Sequence, residues 1–367
     1  MNHLSKSKTL LGIILVLCLF TPVTRGEEPT QYVYTLSYIF ENRGTTDVEL
    51  TQDDVSIPLF MNTTWQTVKL AEVDQEYNVR VIDSDGNKGA ILGINRQLLP
   101  GQEESFIAKY TISSMEQEIP SFELDTAQGM EVIPENLIDE YTLSTETFPS
   151  DDLLFYELAS EIVSDEDSVL EQIITLVEYI MENTTYCSFE VPQYPSKTLE
   201  DHLGDCDDQS ILLITMCRSL DIPAYLQVGI YVHPSIDEED TSWDGHLINE
   251  ADGVGWHGWA MIYIPPWGWI PVDLTLADSE SGLELIRNAP EYRDNIIPVL
   301  NVSTQSYIGE TLSTRERIIN SSLYVTVIDE VHTVYSVNNP FQNYLLLGLG
   351  AALLIAIGLM FYSSGRD

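Results

Sequence analysis

Positively charged residues are scarce in this sequence. Sixteen Lys and Arg residues stand against 58 Asp and Glu residues, which gives a formal net charge of −42 at pH 7. Such a surface repels nucleic-acid phosphates and bare anionic lipid headgroups, so neither class is expected as a partner. The same charge suits cationic partners, divalent ions or a salty medium, although a solvated surface that keeps the protein soluble is the simpler explanation.

Cysteine is scarce as well. Of the four cysteines, Cys18 lies in an apolar N-terminal run, which leaves Cys187, Cys206 and Cys217. An odd number cannot pair completely within one chain, so the sequence does not describe a disulfide scaffold. Structural zinc sites favour closely spaced cysteine pairs and calcium sites favour the EF-hand spacing, and the sequence has neither pattern. We therefore predict no metal and no other cofactor.

Long apolar runs occur only near the two ends. Lys6 and Lys8 precede the apolar run Leu10–Phe20, which predicts a secretory signal over residues 1–26. The run Tyr344–Tyr362 holds seventeen apolar residues between two tyrosines, which predicts a transmembrane helix with an aromatic residue at each interface. These segments predict a single-pass protein of the cell membrane with its folded part outside and a short tail, residues 363–367, inside. Whether the signal is cleaved or retained stays open.

Glycosylation-type sequons all fall in the segment that is expected outside the cell. They begin at Asn62, Asn183, Asn301 and Asn320. The tripeptide is common by chance, so each sequon alone is weak evidence for a glycoprotein.

The chain between the two apolar runs divides by pattern. Residues 27–120 form short alternating runs with turn signals such as Asp85–Asn87, which predicts an all-β sandwich domain. Residues 121–149 are acidic and contain prolines, which is typical of a linker. Residues 150–285 show helical spacing followed by strands, which predicts an α+β domain. Residues 286–343 favour a β-rich extension and stalk.

The segment GDCDDQS, residues 204–210, places Cys206 among aspartates that oppose its ionisation. If a helix begins at Asp205 or Cys206, the thiol lies at the positive end of the helix dipole. Asp207 and Asp208 favour the first turn, and successive helical side chains point about 100° apart, so these two carboxylates are expected to be solvated and to point away from the thiol.

A histidine and a further carboxylate follow on two predicted strands. His257 and Trp259 share one strand face, and the turn at residues 265–268 returns the chain so that Asp273 lies opposite or diagonal to His257. The pattern does not decide between these two registers. A thiol, an imidazole and a carboxylate form a nucleophilic triad, in which His257 takes the thiol proton and Asp273 orients the ring.

The segments GDCDDQSILLITMCRSLDIPAYLQVG, HGW and GWIPVDLT together resemble the core of the transglutaminase-like superfamily. The resemblance covers about residues 150–285, and it implies a papain-like α+β fold with Cys206, His257 and Asp273 as the catalytic triad. The β-rich segment before it resembles the sandwich that often precedes such cores. One departure is Asp221, where the family usually has glycine before Ile-Pro.

These observations predict a membrane-anchored extracytoplasmic cysteine enzyme that cleaves or transfers amide or peptide bonds through a thioester on Cys206. Its substrate is expected to be a protein or peptide at the cell surface, with Trp259 lining the substrate channel. The backbone N–H of Cys206 is one expected donor to the oxyanion of the reaction, and Tyr186 and Gln193 are alternatives for the second donor. The alternative function is a catalytically silent cell-surface binding or scaffold protein that keeps the fold.

Overall fold

A computed structural model describes residues 28–277, 279 and 281–334 of the chain. The strands in these residues are β1 (Thr30–Asn42), β2 (Val48–Glu49), β3 (Ser56–Pro58), β4 (Gln66–Val73), β5 (Tyr77–Val81), β6 (Lys88–Leu92), β7 (Gln97–Leu98), β8 (Glu103–Ser114), β9 (Thr185–Tyr186), β10 (Leu203–Gly204), β11 (Ala224–Ser242), β12 (Leu247–Ile264), β13 (Gly268–Val272), β14 (Ile296–Val302) and β15 (Leu323–Val334). The α-helices are α1 (Glu135–Tyr141), α2 (Leu153–Ile162), α3 (Val169–Asn183), α4 (Pro195–Asp201), α5 (Cys206–Ser219), α6 (Gly282–Arg287) and α7 (Tyr307–Ile319). Single 3₁₀ turns lie at Leu124–Thr126, Met130–Val132, Trp243–Gly245 and Pro290–Tyr292.

One large sheet joins strands from both ends of the described chain. Its order is β14-β11-β12-β15-β1-β8-β4, with β13 also paired to β12. The terminal strand β15 pairs with β1 in antiparallel register and with β12 in parallel register. The strands of residues 27–120 therefore continue the sheet of the predicted core, and a separate N-terminal sandwich domain is not confirmed. Strands β14 and β15 of the predicted extension belong to the same sheet.

Two small sheets complete the N-terminal region. They are β2-β7 and β3-β6-β5. The predicted turn at Asp85–Asn87 joins β5 to β6, which pair in antiparallel register. That turn is confirmed.

Helix α5 runs through the middle of the helical half of the molecule. Every residue from Asp208 to Arg218 is buried, which is expected of a helix that is surrounded by other elements rather than exposed along one face. Helices α2 and α3 and the inner face of β11 and β12 pack around it to form one core.

The predicted acidic linker contributes to this core. Phe122, Ile133 and Phe148 are buried against the helices. A few apolar side chains are enough to anchor residues 121–149 although most of their neighbours in sequence are polar and face solvent. A second core lies among the strands and contains Tyr34, Phe60 and Tyr110.

The two predicted targeting segments, residues 1–26 and 344–362, lie outside the described residues. Among the helices that are described, none combines the length and the apolar character that crossing a bilayer requires.

Candidate active site

Cys206 is the first residue of helix α5, as the sequence predicts. Asp205 is the N-cap, and its side chain accepts a hydrogen bond from the backbone N–H of Asp208 while the Asp208 side chain accepts one from the Asp205 N–H. This reciprocal arrangement satisfies two of the donors that every helix start leaves open. The backbone N–H of Cys206 lies in the first turn of α5, where N–H groups have no partner within the helix, so it can donate to a ligand at the start of the helix.

The first turn of α5 packs against an open stretch of strand β12. Strand β13 pairs with residues 260–264 of β12 and strand β15 with residues 247–252, so neither strand covers the intervening residues on that edge. Gly258 lies in this stretch: its backbone hydrogen-bonds to the Cys206 thiol, and its carbonyl accepts from Ser210 Oγ at 3.4 Å. A Cβ at Gly258 would lie 3.0 Å from Asp207 Cβ, so glycine permits this close approach.

His257 and Asp273 form a buried pair beside that contact. His257 Nε2 lies 2.7 Å from Asp273 Oδ2, and the two side chains are 5% and 1% exposed. The register pairs Ala260 with Val272, which places Asp273 diagonal to His257 and decides between the two registers that the sequence allowed. Because Nε2 faces Asp273, Nδ1 is the ring nitrogen that remains for another partner.

Asp273 is held as an anion by several donors. Its Oδ1 accepts from the backbone N–H groups of Thr275 and Leu276 at 2.9 and 3.0 Å. Burial alone would raise the pKa of Asp273, but the charge and hydrogen bond of His257 hold that pKa well below its usual range. An ionised Asp273 both orients the imidazole and stabilises its protonated form.

The structure thus brings the three predicted site residues to one place. The thiol of Cys206 contacts the backbone of Gly258, the residue after His257, and His257 contacts Asp273. No hydrogen bond joins the Cys206 thiol to the His257 imidazole among the residues that the structure describes. Catalytic hydrogen bonds are often long without substrate and shorten only in the complex.

Asp207 does not point away from the thiol and Asp208 is buried rather than solvated, so the prediction for these two carboxylates is wrong. Asp205 and Asp207 each have a carboxylate oxygen within 4.8 Å of Sγ. Asp205 turns back to cap the helix, and Asp207 turns towards Tyr307, whose hydroxyl donates to it at 2.9 Å. Burial raises the pKa of the Cys206 thiol above its usual value, Asp207 and Asp205 raise it further, and the Gly258 hydrogen bond opposes them.

The same burial acts on the neighbouring acids. Burial, together with Asp205 and Asp208, raises the pKa of Asp207 well above its usual range. Burial and the charge of Asp205 also raise the pKa of Asp208 to about 7, although Asp208 accepts the backbone N–H of Gln193 at 2.6 Å. Both shifts favour the neutral acid, so the negative charge around the thiol is smaller than the formal count suggests.

Trp259, the predicted substrate contact, is only 1% exposed. Its ring stacks on His257 with centroids 5.7 Å apart. It lines a cavity of about 420 Å³ together with Trp65, Trp267 and Tyr292. A substrate can therefore touch Trp259 only from inside this cavity.

The two alternatives for an oxyanion donor differ in their surroundings. Tyr186 pairs with Gly204 across β9 and β10 and is 60% exposed; burial and the nearby Cys206 raise the pKa of Tyr186 to about 12. Gln193 uses its backbone N–H for Asp208, and its side-chain Nε2 is buried without a partner. Tyr186 also lines a cleft of about 570 Å³ with Trp256, which is 45% exposed.

Sequence reasoning missed Glu291. This residue follows Pro290 in a 3₁₀ turn, is 4% exposed, and has Oε1 at 3.9 Å from His257 Nε2. No motif marks it, because nothing local in the sequence shows that the loop before β14 returns to the His257–Asp273 pair. His257, Asp273 and Glu291 form one set of side chains whose ligand atoms are close enough to hold a metal ion, and Asp205, Cys206 and Asp207 form another.

Comparison with known proteins supports the predicted superfamily for the central segment. Residues 156–274 match the family model of the transglutaminase-like superfamily core. The Bacillus subtilis protein YebA, described as uncharacterized, is 23% identical over 216 residues, which are 56% of this chain and 28% of that protein. This chain thus spans between a quarter and a third of the relative it matches.

One solved structure shares the fold over a longer range. A Cytophaga hutchinsonii protein, provisionally named a cysteine protease, aligns over 84% of this chain and 92% of its own, with a TM-score of 0.51 and 13% identity. LapG of Legionella pneumophila aligns over 50% of this chain and 94% of its own, with a TM-score of 0.28 and 13% identity. The first likeness concerns the fold alone, and the second is too weak to carry an argument.

Proposed function

We propose that this chain is a cysteine enzyme of the transglutaminase-like kind that cleaves or transfers amide or peptide bonds. One observation carries the proposal: the thiol at the first residue of α5 contacts the backbone next to His257, and His257 is hydrogen-bonded to a buried, ionised Asp273. Nucleophile, base and orienting carboxylate therefore stand in the order that acyl transfer requires.

The first half of the reaction forms a thioester. Cys206 Sγ attacks the carbonyl carbon of the amide while His257 Nδ1 takes the thiol proton. The developing oxyanion accepts a hydrogen bond from the backbone N–H of Cys206 at the start of α5. The C–N bond then breaks, and the imidazolium gives its proton to the leaving amine.

The second half regenerates the thiol. His257 takes a proton from water and the hydroxyl attacks the thioester carbonyl. The C–S bond then breaks and the imidazolium returns the proton to sulfur, which gives a carboxylic acid and the Cys206 thiol. If an amine attacks in place of water, the product is a new amide. The choice between hydrolysis and transfer depends on which acceptor reaches the thioester.

The substrate in this proposal is a protein or peptide. The cleft lined by Tyr186 and Trp256 is open to solvent, and two of its lining residues are close to the site in the fold: Tyr186 pairs with Gly204, two residues before Cys206, and Trp256 directly precedes His257. Exposed aromatic side chains along an open cleft suit an extended peptide. The provisional name of the Cytophaga hutchinsonii protein favours the same substrate class.

The proposed location rests on the sequence. The signal-like segment 1–26 and the apolar run 344–362 favour an exported chain that a single helix holds in the cell membrane, with the catalytic part outside.

The test is turnover on glutamine-containing peptides, with and without an added primary amine. Cys206→Ser is expected to lower kcat by about 1000-fold or more, because the thiol is the nucleophile. Cys187→Ser is the matched control, since Cys187 is also a partly exposed free thiol. Mass spectrometry of the wild-type chain is expected to detect an acyl adduct on Cys206. If both variants retain equal turnover, the proposal is wrong.

A second function, a catalytically silent binding protein, is favoured by one observation. Burial, Asp207 and Asp205 raise the pKa of the Cys206 thiol, whereas a preformed thiolate would need the pKa lowered. In that function the wild-type chain shows no acyl adduct and no turnover above that of Cys206→Ser.

A further inference from the structure

The backbone of Glu291 is fixed behind the His257–Asp273 pair. Gln117 Nε2 donates to the Glu291 carbonyl at 2.8 Å, and the Gln117 backbone N–H donates to the Tyr292 carbonyl at 2.7 Å. With the side chain 4% exposed, the carboxyl group cannot turn out to water without moving the turn that carries it.

This carboxyl group lacks the partners that a buried anion needs. Neither Oε1 nor Oε2 accepts a hydrogen bond from the described residues. The nearest groups are His257 Nε2, at 3.9 Å from Oε1, and a carboxylate oxygen of Asp273 within 4.8 Å. Two adjacent buried carboxylates cannot both stay ionised at low cost, so one of them holds a proton.

The surroundings decide which carboxyl is protonated. Asp273 receives hydrogen bonds from His257 and from the backbone N–H groups of Thr275 and Leu276. Glu291 receives none. The proton therefore belongs to Glu291. The protonated carboxyl of Glu291 can donate a hydrogen bond to Asp273, and this gives Glu291 the partner that it otherwise lacks.

We infer that Glu291 is a positioning residue, a neutral acid that donates a hydrogen bond to Asp273 and so fixes the His257–Asp273 pair; its part in catalysis rests on the proposed function. Burial, then the charge of Asp273 and a hydrogen bond to it, raises the pKa of Glu291 well above its usual range, in agreement with the geometry. The titratable groups around it are His257, Asp273 and Tyr292, and Glu118 lines the same cavity.

Loss of this proton at alkaline pH puts a second negative charge 3.9 Å from His257 Nε2. That charge repels Asp273 and competes with it for the imidazole, so turnover falls as Glu291 ionises. A glutamine at this position cannot ionise, so its turnover lacks this alkaline decline.

Two variants separate positioning from packing. Glu291→Gln keeps the shape and a donor for Asp273, whereas Glu291→Leu keeps most of the volume and removes the donor. At pH 7 we expect kcat of Glu291→Gln to stay within about threefold of wild type and kcat of Glu291→Leu to fall about tenfold, with KM nearly unchanged in both. The alkaline decline is expected in wild type and absent from Glu291→Gln. Equal losses in the two variants, or the same alkaline decline in wild type and Glu291→Gln, would overturn the inference.

Two further measurements need no turnover. The infrared difference spectrum of wild type minus Glu291→Gln at pH 7 is expected to contain the carbonyl stretch of a protonated carboxyl. The low-field proton resonance of the His257–Asp273 hydrogen bond is expected to move in Glu291→Leu and to stay in place in Glu291→Gln. A missing infrared band, an unmoved resonance in Glu291→Leu, or a stoichiometric metal ion on the purified chain would contradict the role of Glu291. Absence of turnover in wild type with both signals present would contradict the proposed function only.

Discussion

Asp207→Asn tests how strongly the carboxyl group of Asp207 opposes ionisation of the Cys206 thiol. The substitution removes the negative charge that Asp207 acquires when its carboxyl group, whose pKa is raised, ionises during the pH titration. It keeps an oxygen that can accept a hydrogen bond from the Tyr307 hydroxyl, which lies 2.9 Å from the carboxylate. Because a neighbouring negative charge disfavours the thiolate, its removal lowers the pKa of the thiol. The midpoint of alkylation against pH therefore moves to lower pH.

The size of the shift follows from the distance. A carboxylate oxygen of Asp207 lies within 4.8 Å of Sγ. Two unit charges at that separation repel each other by about 3.5 kcal/mol at an effective dielectric constant of 20 and by about 0.9 kcal/mol in water. At 1.36 kcal/mol for each pKa unit, these limits correspond to a downward shift of about 0.6 to 2.5 units.

The assay is the rate of iodoacetamide alkylation of the full chain against pH, measured on the Cys206 peptide by mass spectrometry so that Cys187 and Cys217 are scored separately. Asp244→Asn is the matched control, because Asp244 is exposed and its left-handed backbone, with φ of 56°, suits asparagine equally well. The control is expected to leave the midpoint unchanged. A midpoint in Asp207→Asn equal to that of the control, or higher, would refute the electrostatic argument.

Two further predictions concern stability. Arg218 is buried, and its guanidinium donates to the carbonyls of Ala224, Leu143 and Ser303 at 2.8, 3.0 and 3.1 Å. Arg218→Ala leaves these three carbonyls without their donor. We expect it to lower the free energy of unfolding, measured by urea titration, by about 3–5 kcal/mol. Arg218→Lys, which keeps one charge but not the planar fork, is expected to lose less, and a loss under about 1 kcal/mol in the alanine variant would contradict this role. Asp85 accepts from the backbone N–H groups of Ser303 and Thr304 at 2.7 Å each, so Asp85→Ala is expected to cost about 2–4 kcal/mol in the same assay. Asp85→Asn retains one acceptor oxygen and should lie between wild type and Asp85→Ala, and equal stability of all three chains would show that the contact is not needed.

The start of helix α5 was predictable because its signals are local. Asp205 and Asp208 stand three residues apart, which is the spacing of a reciprocal N-cap, and the structure begins the helix at Cys206. The N-cap of α2 shows that such local signals do not always identify which residue caps the helix. Ser150 and Asp152 are both residues that commonly cap helices. Asp152 caps α2, whereas Ser150 Oγ donates to the Thr142 carbonyl.

The partners of the strands could not be predicted in the same way. Alternation of apolar and polar residues identifies β1 and β15 as strands, but it says nothing about which strand lies beside which. Gln31 pairs with Val334, a contact between residues that are far apart in sequence. The sequence pattern therefore predicts a separate N-terminal sandwich, because the strand that joins this segment to the rest of the sheet comes last in the described chain.

The departure from the family pattern at Asp221 has a simple structural meaning. Its backbone has a φ of 61°, a region that glycine enters freely and that aspartate tolerates better than most other residues. The family's glycine at this position and the aspartate in this chain thus meet the same backbone requirement. Asp221 directly follows Leu220, the C-cap of helix α5, and so lies at the opposite end of that helix from Cys206.

The site's charge state is what the sequence describes least well, because protonation depends on neighbours that the fold supplies. A count of formal charges places several carboxylates around the thiol and the imidazole. In the folded chain, burial raises the pKa of Asp207 and of Glu291, which favours their neutral forms, while His257 and two backbone N–H groups keep Asp273 ionised. A strongly acidic chain can thus surround a cysteine with carboxyl groups of which some favour the neutral form, while Asp273, which the proposed reaction needs as an anion, keeps its negative charge.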